Sequence, residues 1–101
     1  MSYQLFFHPE AEKEYAEAHA WYEKKKKGLG ERFESMVEKR LNRILDNPEI
    51  YGFSKGSYRE ALIDVFPYTI VYKVNKRKKT IYVSAIYHTS RNPRKKYRRM
   101  K

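Results

Sequence analysis

At 101 residues and 41% hydrophobic, the chain is sized for one domain with one modest core. It has no run of about 18 apolar residues to cross a membrane, no cysteine for disulfides or thiolate zinc sites, and an N-terminus without the features of a secretory signal, so a cytoplasmic protein is expected. The net charge of +11 is lopsided: residues 1–50 hold nine Lys/Arg against ten Asp/Glu, residues 51–101 fourteen against only Glu60 and Asp64, which implies a polyanionic partner such as nucleic acid, an acidic protein segment or an anionic surface.

Tyr3 to Phe7 is a short apolar run that reads as a strand. His8-Pro9 ends it, because the residue before a proline is pushed to extended geometry and proline suits a first helical turn. The spacing of Ala11, Tyr15, Ala18 and Tyr22 predicts a helix from about Pro9 to Lys25 with one buried stripe. Its early glutamates and the terminal Lys24–Lys27 both suit the helix dipole. Gly28-Leu29-Gly30 turns the chain into a second helix over about Glu31 to Leu45, with Phe33, Val37, Leu41 and Ile44 on one face. Asp46-Asn47-Pro48 is expected to end it, with Asn47 in a left-handed cap. Two amphipathic helices joined this way form an antiparallel hairpin.

The second half changes period. Tyr58 to Val65 is a predicted strand, stopped by Phe66-Pro67. Thr69 to Val74 is rich in β-branched and aromatic residues, and Asn75-Lys76-Arg77-Lys78-Lys79 is a basic hairpin tip. Thr80 to Tyr87 alternates Ile81, Val83, Ala85 and Tyr87 against Tyr82, Ser84 and Ile86. The expected order is β-α-α-β-β-β, an α+β domain with a helix hairpin on one face of a small antiparallel sheet.

From Tyr87 to Lys101 there are seven basic residues and no acid. Cations for phosphate interleaved with a ring for base stacking are what a single-stranded nucleic-acid surface uses. Arg91, Arg94, Lys95, Lys96, Tyr97 and Arg98 are therefore candidate target-binding residues, together with Lys55 and Arg59 on the predicted sheet. A solvated tail has the same composition, so both readings stand for Lys95–Lys101. His88, where the last strand leaves the sheet, is the one histidine placed among cations. Its imidazole is a candidate acceptor for a ribose 2′-hydroxyl proton, with Arg59 and Arg91 stabilising charge on the phosphate. On the residues alone, a structural histidine closing the strand end is the plainer reading. His8 and His19 are assigned as surface or boundary residues. Glu60 and Asp64, four apart on one predicted strand, would share a face and form ion pairs. No Gly-rich phosphate loop, nucleophile elbow or metal-ligand spacing occurs, so neither cofactor nor metal is expected.

Taken in order, Pro9-Glu10-Ala11-Glu12-Lys13-Glu14, Gly28-Leu29-Gly30-Glu31-Arg32-Phe33, Asn47-Pro48, Arg59, Phe66-Pro67-Tyr68-Thr69-Ile70-Val71-Tyr72 and His88-Thr89-Ser90-Arg91-Asn92-Pro93 resemble the RelE/ParE superfamily of bacterial toxins. The likeness runs from about Tyr3 to Pro93, implying one toxin domain over residues 1–93 and a basic tail over 94–101. It implies a partner, a cognate antitoxin whose acidic C-terminal region wraps the toxin and would suit the basic half of this chain. Targets divide within the superfamily: RelE-like members cut mRNA in the ribosomal A site, whereas ParE-like members inhibit DNA gyrase. The helix turn and the Phe-Pro-Tyr block resemble ParE, and the chain lacks the several lysines that RelE-like toxins place on one strand before the sheet arginine. Lys55 and the basic tail leave RNA binding open. Under a ribonuclease reading, Arg59, His88 and Arg91 are the catalytic candidates.

Overall fold

The computed structural model describes residues 3–90. Strand β1 (Gln4–Phe7) leads into helix α1 (Pro9–Lys25). His8 stands at the boundary between strand and helix as the N-cap, its ring Nδ1 accepting the backbone N–H of Glu10 at 3.0 Å. That satisfies one of the first-turn donors that a helix cannot pair internally.

Helix α2 (Leu29–Asp46) begins two residues before the expected Glu31. Gly28 precedes it at φ +88, a left-handed backbone that glycine adopts without strain. Since Gly28 has no side chain to cap the helix, Glu23 at the end of α1 does so. Its carboxylate accepts the N–H groups of Gly28 at 2.9 Å and Gly30 at 3.0 Å. The Gly28 hydrogen bond above all, with help from Gly30 and His19, holds Glu23 below the ordinary carboxylate range. A Cβ on Gly30 would sit 2.7 Å from the His19 carbonyl oxygen, so glycine sets how closely the helices approach. At the far end Asn47 is at φ −148 and ψ 84, outside the left-handed region expected of the cap.

The sheet has one strand more than expected and is mixed rather than antiparallel. Strands β2 (Phe53–Lys55), β3 (Tyr58–Leu62), β4 (Tyr68–Asn75) and β5 (Thr80–His88) follow, in spatial order β1-β5-β4-β3-β2. The last four pair antiparallel in sequence, but β1 lies parallel to β5, Leu5 opposite Ile81 and Phe7 opposite Val83. Consecutive-strand reasoning misses a pairing between the first strand and the last. It also misses β2, whose three exposed residues carry no alternation. The element order is therefore β-α-α-β-β-β-β, and the α+β class holds.

Strand β3 stops at Leu62, short of Val65, because Ile63 to Phe66 turns the chain with Val65 at φ +75. Asp64 is thereby removed from the strand and from the face of Glu60. It pairs with Arg40 at 2.9 Å and Lys39 at 3.5 Å, while Glu60 accepts from the Thr69 hydroxyl at 3.5 Å. Strand β5 also departs from simple alternation. Val71 faces Ala85 but Tyr72 faces Val83, so Ser84 is the extra residue of a β-bulge. The bulge shifts the phase: Ile81, Val83 and Ile86 join the helix-side core, while Ala85 and Tyr87 turn with Val71 to the opposite face.

The main core lies between the helix hairpin and the sheet. Ala11, Ala18 and Tyr22 of α1 and Phe33, Val37, Leu41 and Ile44 of α2 are buried, as their spacing predicts. Tyr22, Phe33, Phe66 and Tyr68 form an aromatic knot, Tyr22 and Phe66 with ring centres 4.8 Å apart and Phe33 and Tyr68 5.1 Å apart. Edge-on pairs of this kind add about 0.5–1.5 kcal/mol each beyond the area they bury.

Candidate functional site

Of the sequence-predicted site residues, Lys55, Arg59 and His88 fall within the described chain. Arg91, Arg94, Lys95, Lys96, Tyr97 and Arg98 lie outside the described residues. Lys55 ends the edge strand β2 and is exposed.

Arg59 sits on β3 opposite Tyr72 and faces the helix side. Its guanidinium donates to the carbonyl of Tyr51 at 2.7 Å and of Glu49 at 3.4 Å, and lies over the Phe53 ring at 3.9 Å. The Glu49 carboxylate is 3.9 Å away, and the arginine side chain is only 11% exposed. These contacts fasten the segment between α2 and β2 to the sheet. Two other side chains fasten the same segment: Tyr72 donates its hydroxyl to the Pro48 carbonyl at 2.8 Å, and Arg40 of α2 donates to the Tyr51 hydroxyl. Burial pushes the Tyr72 hydroxyl up to about 12. Lys76 of the hairpin tip closes the arrangement from outside with a 2.7 Å ion pair to Glu49, which holds that carboxyl below its ordinary value and raises the lysine.

His88 ends β5 and also faces the helix side, opposite Tyr68, with ring centres 5.2 Å apart and nearly perpendicular. Its Nδ1 accepts the Ser90 N–H at 3.1 Å, and the Ser90 hydroxyl lies 2.7 Å from the same nitrogen. A nitrogen that accepts a backbone N–H carries no proton itself, so in the neutral ring the proton is assigned to Nε2. The ring borders a cleft of about 500 Å³ between α1 and the end of β5, with Glu14, Glu17, Trp21 and Tyr68 also on its walls. Glu14 closes the inner end, its Oε1 accepting the Ile86 N–H at 3.1 Å. Trp21 is 55% exposed. Sequence reasoning missed this cleft. The available signal was Trp21 itself, a large apolar side chain out of phase with the buried Ala11, Ala18 and Tyr22.

Arg59 and His88 do not share a site. Arg59 is opposite Tyr72 and His88 opposite Tyr68 on the two sides of β4. Four residues along and two strand spacings across put their Cα atoms about 16 Å apart. The wholly buried Ile70 stands between them on the same face. Among the described residues, no group of three or more His, Cys, Asp or Glu is placed to hold a metal ion, and no helix is long and apolar enough to cross a membrane.

Residues 5–93 match the sequence model of the family described as the ParE toxin of the type II toxin–antitoxin system parDE. No curated protein matches significantly. Among solved structures, a double arginine-to-alanine mutant of the E. coli toxin RelE in the free state superposes with a TM-score of 0.68 at 22% identity, over 89% of this chain and 86% of that one. The same mutant in complex with an antitoxin RelBc peptide gives 0.63 at 22% identity, over 85% and 82%. The isolated E. coli RelE toxin gives 0.66 at 21% identity, over 92% and 90%. Identities this low establish a shared fold, and the family match adds the lineage: this chain belongs to the ParE toxin family of type II toxin–antitoxin systems, within the RelE/ParE superfamily.

Proposed function

We propose that the protein is a ParE-like inhibitor of DNA gyrase, active in the cytoplasm and silenced by a cognate acidic antitoxin. The observation that carries this reading is the match of residues 5–93 to the ParE toxin family. The placement of Arg59 supports it. That guanidinium is engaged with the Tyr51 and Glu49 carbonyls and the Phe53 ring, and Ile70 separates it from His88. A metal-free ribonuclease would need both groups around one phosphate. In this reading residues 1–93 make the toxin domain, and the tail from Arg94 to Lys101, with Lys55 and Arg91, meets the target. An antitoxin partner is supported by the E. coli RelE relative, which has been solved with an antitoxin peptide, and by the excess of fourteen Lys/Arg over two acids in residues 51–101.

One observation favours the alternative, a RelE-like endoribonuclease acting on ribosome-bound mRNA. His88 borders an open cleft with its Nδ1 fixed by Ser90, which leaves the Nε2–H to donate to a substrate oxygen rather than to accept a proton. Induced expression without antitoxin, following protein synthesis by pulse labelling and DNA integrity together, separates the two. Broken DNA with translation initially spared is the expected result. Early arrest of translation with intact DNA, abolished by His88→Ala, would establish the ribonuclease instead. Binding of an acidic antitoxin peptide is expected to weaken steeply with salt; an affinity indifferent to salt would remove charge from the recognition.

A further inference from the structure

The two edges of the sheet are not alike. At one edge β2 is three residues long, carries Lys55 and shifts register against β3, features that discourage a further strand. The other edge is β1, where Gln4-Leu5-Phe6-Phe7 holds no charge, no proline and no shift of register. The Gln4 and His8 N–H groups donate toward β5, to the Lys79 and Val83 carbonyls at 2.9 Å each. Strand alternation then turns the N–H and C=O of Leu5 and Phe7 outward, along an edge that no other strand covers among the described residues. Beside this edge lies a groove of about 400 Å³ where β1 meets both helices. Leu5, Phe7 and Leu41 line it, and so do Glu12, Glu34 and Glu38. Among the described residues its walls hold no lysine or arginine, in a chain of net charge +11. Two of the carboxylates on α2 are held by α1: Tyr15 donates its hydroxyl to Glu38 at 2.8 Å, and His19 lies 3.4 Å from Glu34.

We infer that this edge and groove dock a basic, extended segment of a partner protein, which pairs with β1 as a sixth strand of the sheet. A segment laid antiparallel to β1 meets the outward N–H and C=O groups of Leu5 and Phe7 with two of its own residues. Directly opposed residues share a face, so those two side chains enter the groove beside Leu5 and Phe7, and apolar ones suit it. The next positions on the same face, two residues further at either end, bring cations to Glu12, Glu34 and Glu38. Since β1 has four residues, pairing extends over about 13 Å. The motif recognised is therefore short: cation, apolar, apolar, cation at every second residue. The acidic segment expected of an antitoxin is repelled by these carboxylates and suits the basic half of the chain instead, which makes this a separate docking face. A second copy pairing β1 to β1 would bring two acidic rims together on one side of the continued sheet. This inference is independent of whether gyrase or mRNA is the target.

The probe is the heptapeptide Lys-Thr-Val-Thr-Val-Thr-Lys, titrated into the isotope-labelled full-length chain and followed by NMR. Binding should slow hydrogen exchange at the Leu5 and Phe7 amides and leave β2 unchanged. N-methylation of both valines removes the N–H groups aimed at β1 and should abolish binding, and the counterpart with glutamate at both ends should not bind. A Glu12→Gln, Glu34→Gln double variant, which spares the Glu38 partner of Tyr15, should stay folded and bind the lysine peptide about fivefold more weakly. Four results would overturn the inference: no binding of the lysine peptide at millimolar concentration, equal binding of the glutamate peptide, undiminished binding of the N-methylated peptide, or Leu5 and Phe7 protection that rises with protein concentration in the absence of peptide and so comes from a second copy.

Discussion

Replacing Arg59 by alanine should damage the fold before it damages any recognition. The substitution removes a charged hydrogen bond to the Tyr51 carbonyl at 2.7 Å, a loss of about 1.5–3 kcal/mol for a charged donor. It also removes the guanidinium from the Phe53 ring, 3.9 Å away, about 0.5–1 kcal/mol at a partly exposed site. The Glu49 carboxylate adds little, because it is 3.9 Å distant, 44% exposed and already paired with Lys76. The total is about 2–4 kcal/mol, which in a domain of this size lowers the melting temperature by roughly 10–25 °C. Thermal unfolding by circular dichroism reads the magnitude, and amide hydrogen exchange over residues 49–53 locates it. Arg59→Lys should fall between wild type and alanine, keeping the charge but losing the fork that reaches two carbonyls and a ring. An alanine variant that melts within about 3 °C of wild type, with unchanged exchange in that segment, would refute this account.

Gly30→Ala drives a methyl into the His19 carbonyl and the Glu23 side chain and should cost about 1–3 kcal/mol, as overpacking does; a neutral result in urea denaturation would mean the helices separate freely. Glu23 has a folded-state pKa below its ordinary 4.5, so its contribution is present above pH 4.5 and is lost as pH falls through the folded value. Glu23→Gln should therefore melt lower than wild type at pH 7, and the gap should narrow in acid. A constant gap across that range would dissociate the carboxylate from the turn. Tyr72 shows the opposite sign: its pKa is raised from 10.0 to about 12, so its stabilisation is present below pH 10 and lost as pH rises through about 12. Tyr72→Phe should cost about 1–3 kcal/mol at pH 7 through the stranded Pro48 carbonyl and should flatten part of the alkaline decline, measured by denaturation at pH 8 and 11.

The helix hairpin was legible from sequence because its information is local. Ala11, Ala18, Tyr22 and Phe33, Val37, Leu41, Ile44 repeat at helical spacing, and that repeat is the buried surface itself. The parallel pairing of β1 with β5 was not legible, since it joins residues 76 apart, Leu5 with Ile81, with nothing in either segment to name the other. The bulge at Ser84 escaped for a related reason. Ile81 to Tyr87 alternates well enough for an unbroken strand, and only the opposition of Val71 to Ala85 and Tyr72 to Val83 exposes the extra residue. His88 and Arg59 were both selected as cations or titrating groups in a basic half, a criterion blind to direction. The three-way fastening of residues 48–51 by Tyr72, Arg59 and Arg40 lies beyond any local pattern.

That fastening changes how loss of toxicity should be read. Toxins of this superfamily share a fold at identities near 22%, and fold does not fix target, so the target must be argued from particular side chains. Arg59 is a poor probe, because its removal frees the segment before β2 whichever target is correct. His88 is a better one. Among the described residues its side-chain contacts are with Ser90 and with Tyr68, the half-buried outer member of the aromatic knot, at the end of the last strand. A His88→Ala chain that stays folded and toxic removes proton transfer by this ring from the mechanism, whereas a folded, harmless one makes the cleft beside Trp21 part of the active surface. The same pair of outcomes for Arg59→Ala would carry neither meaning until the melting temperature had been restored by a compensating change elsewhere.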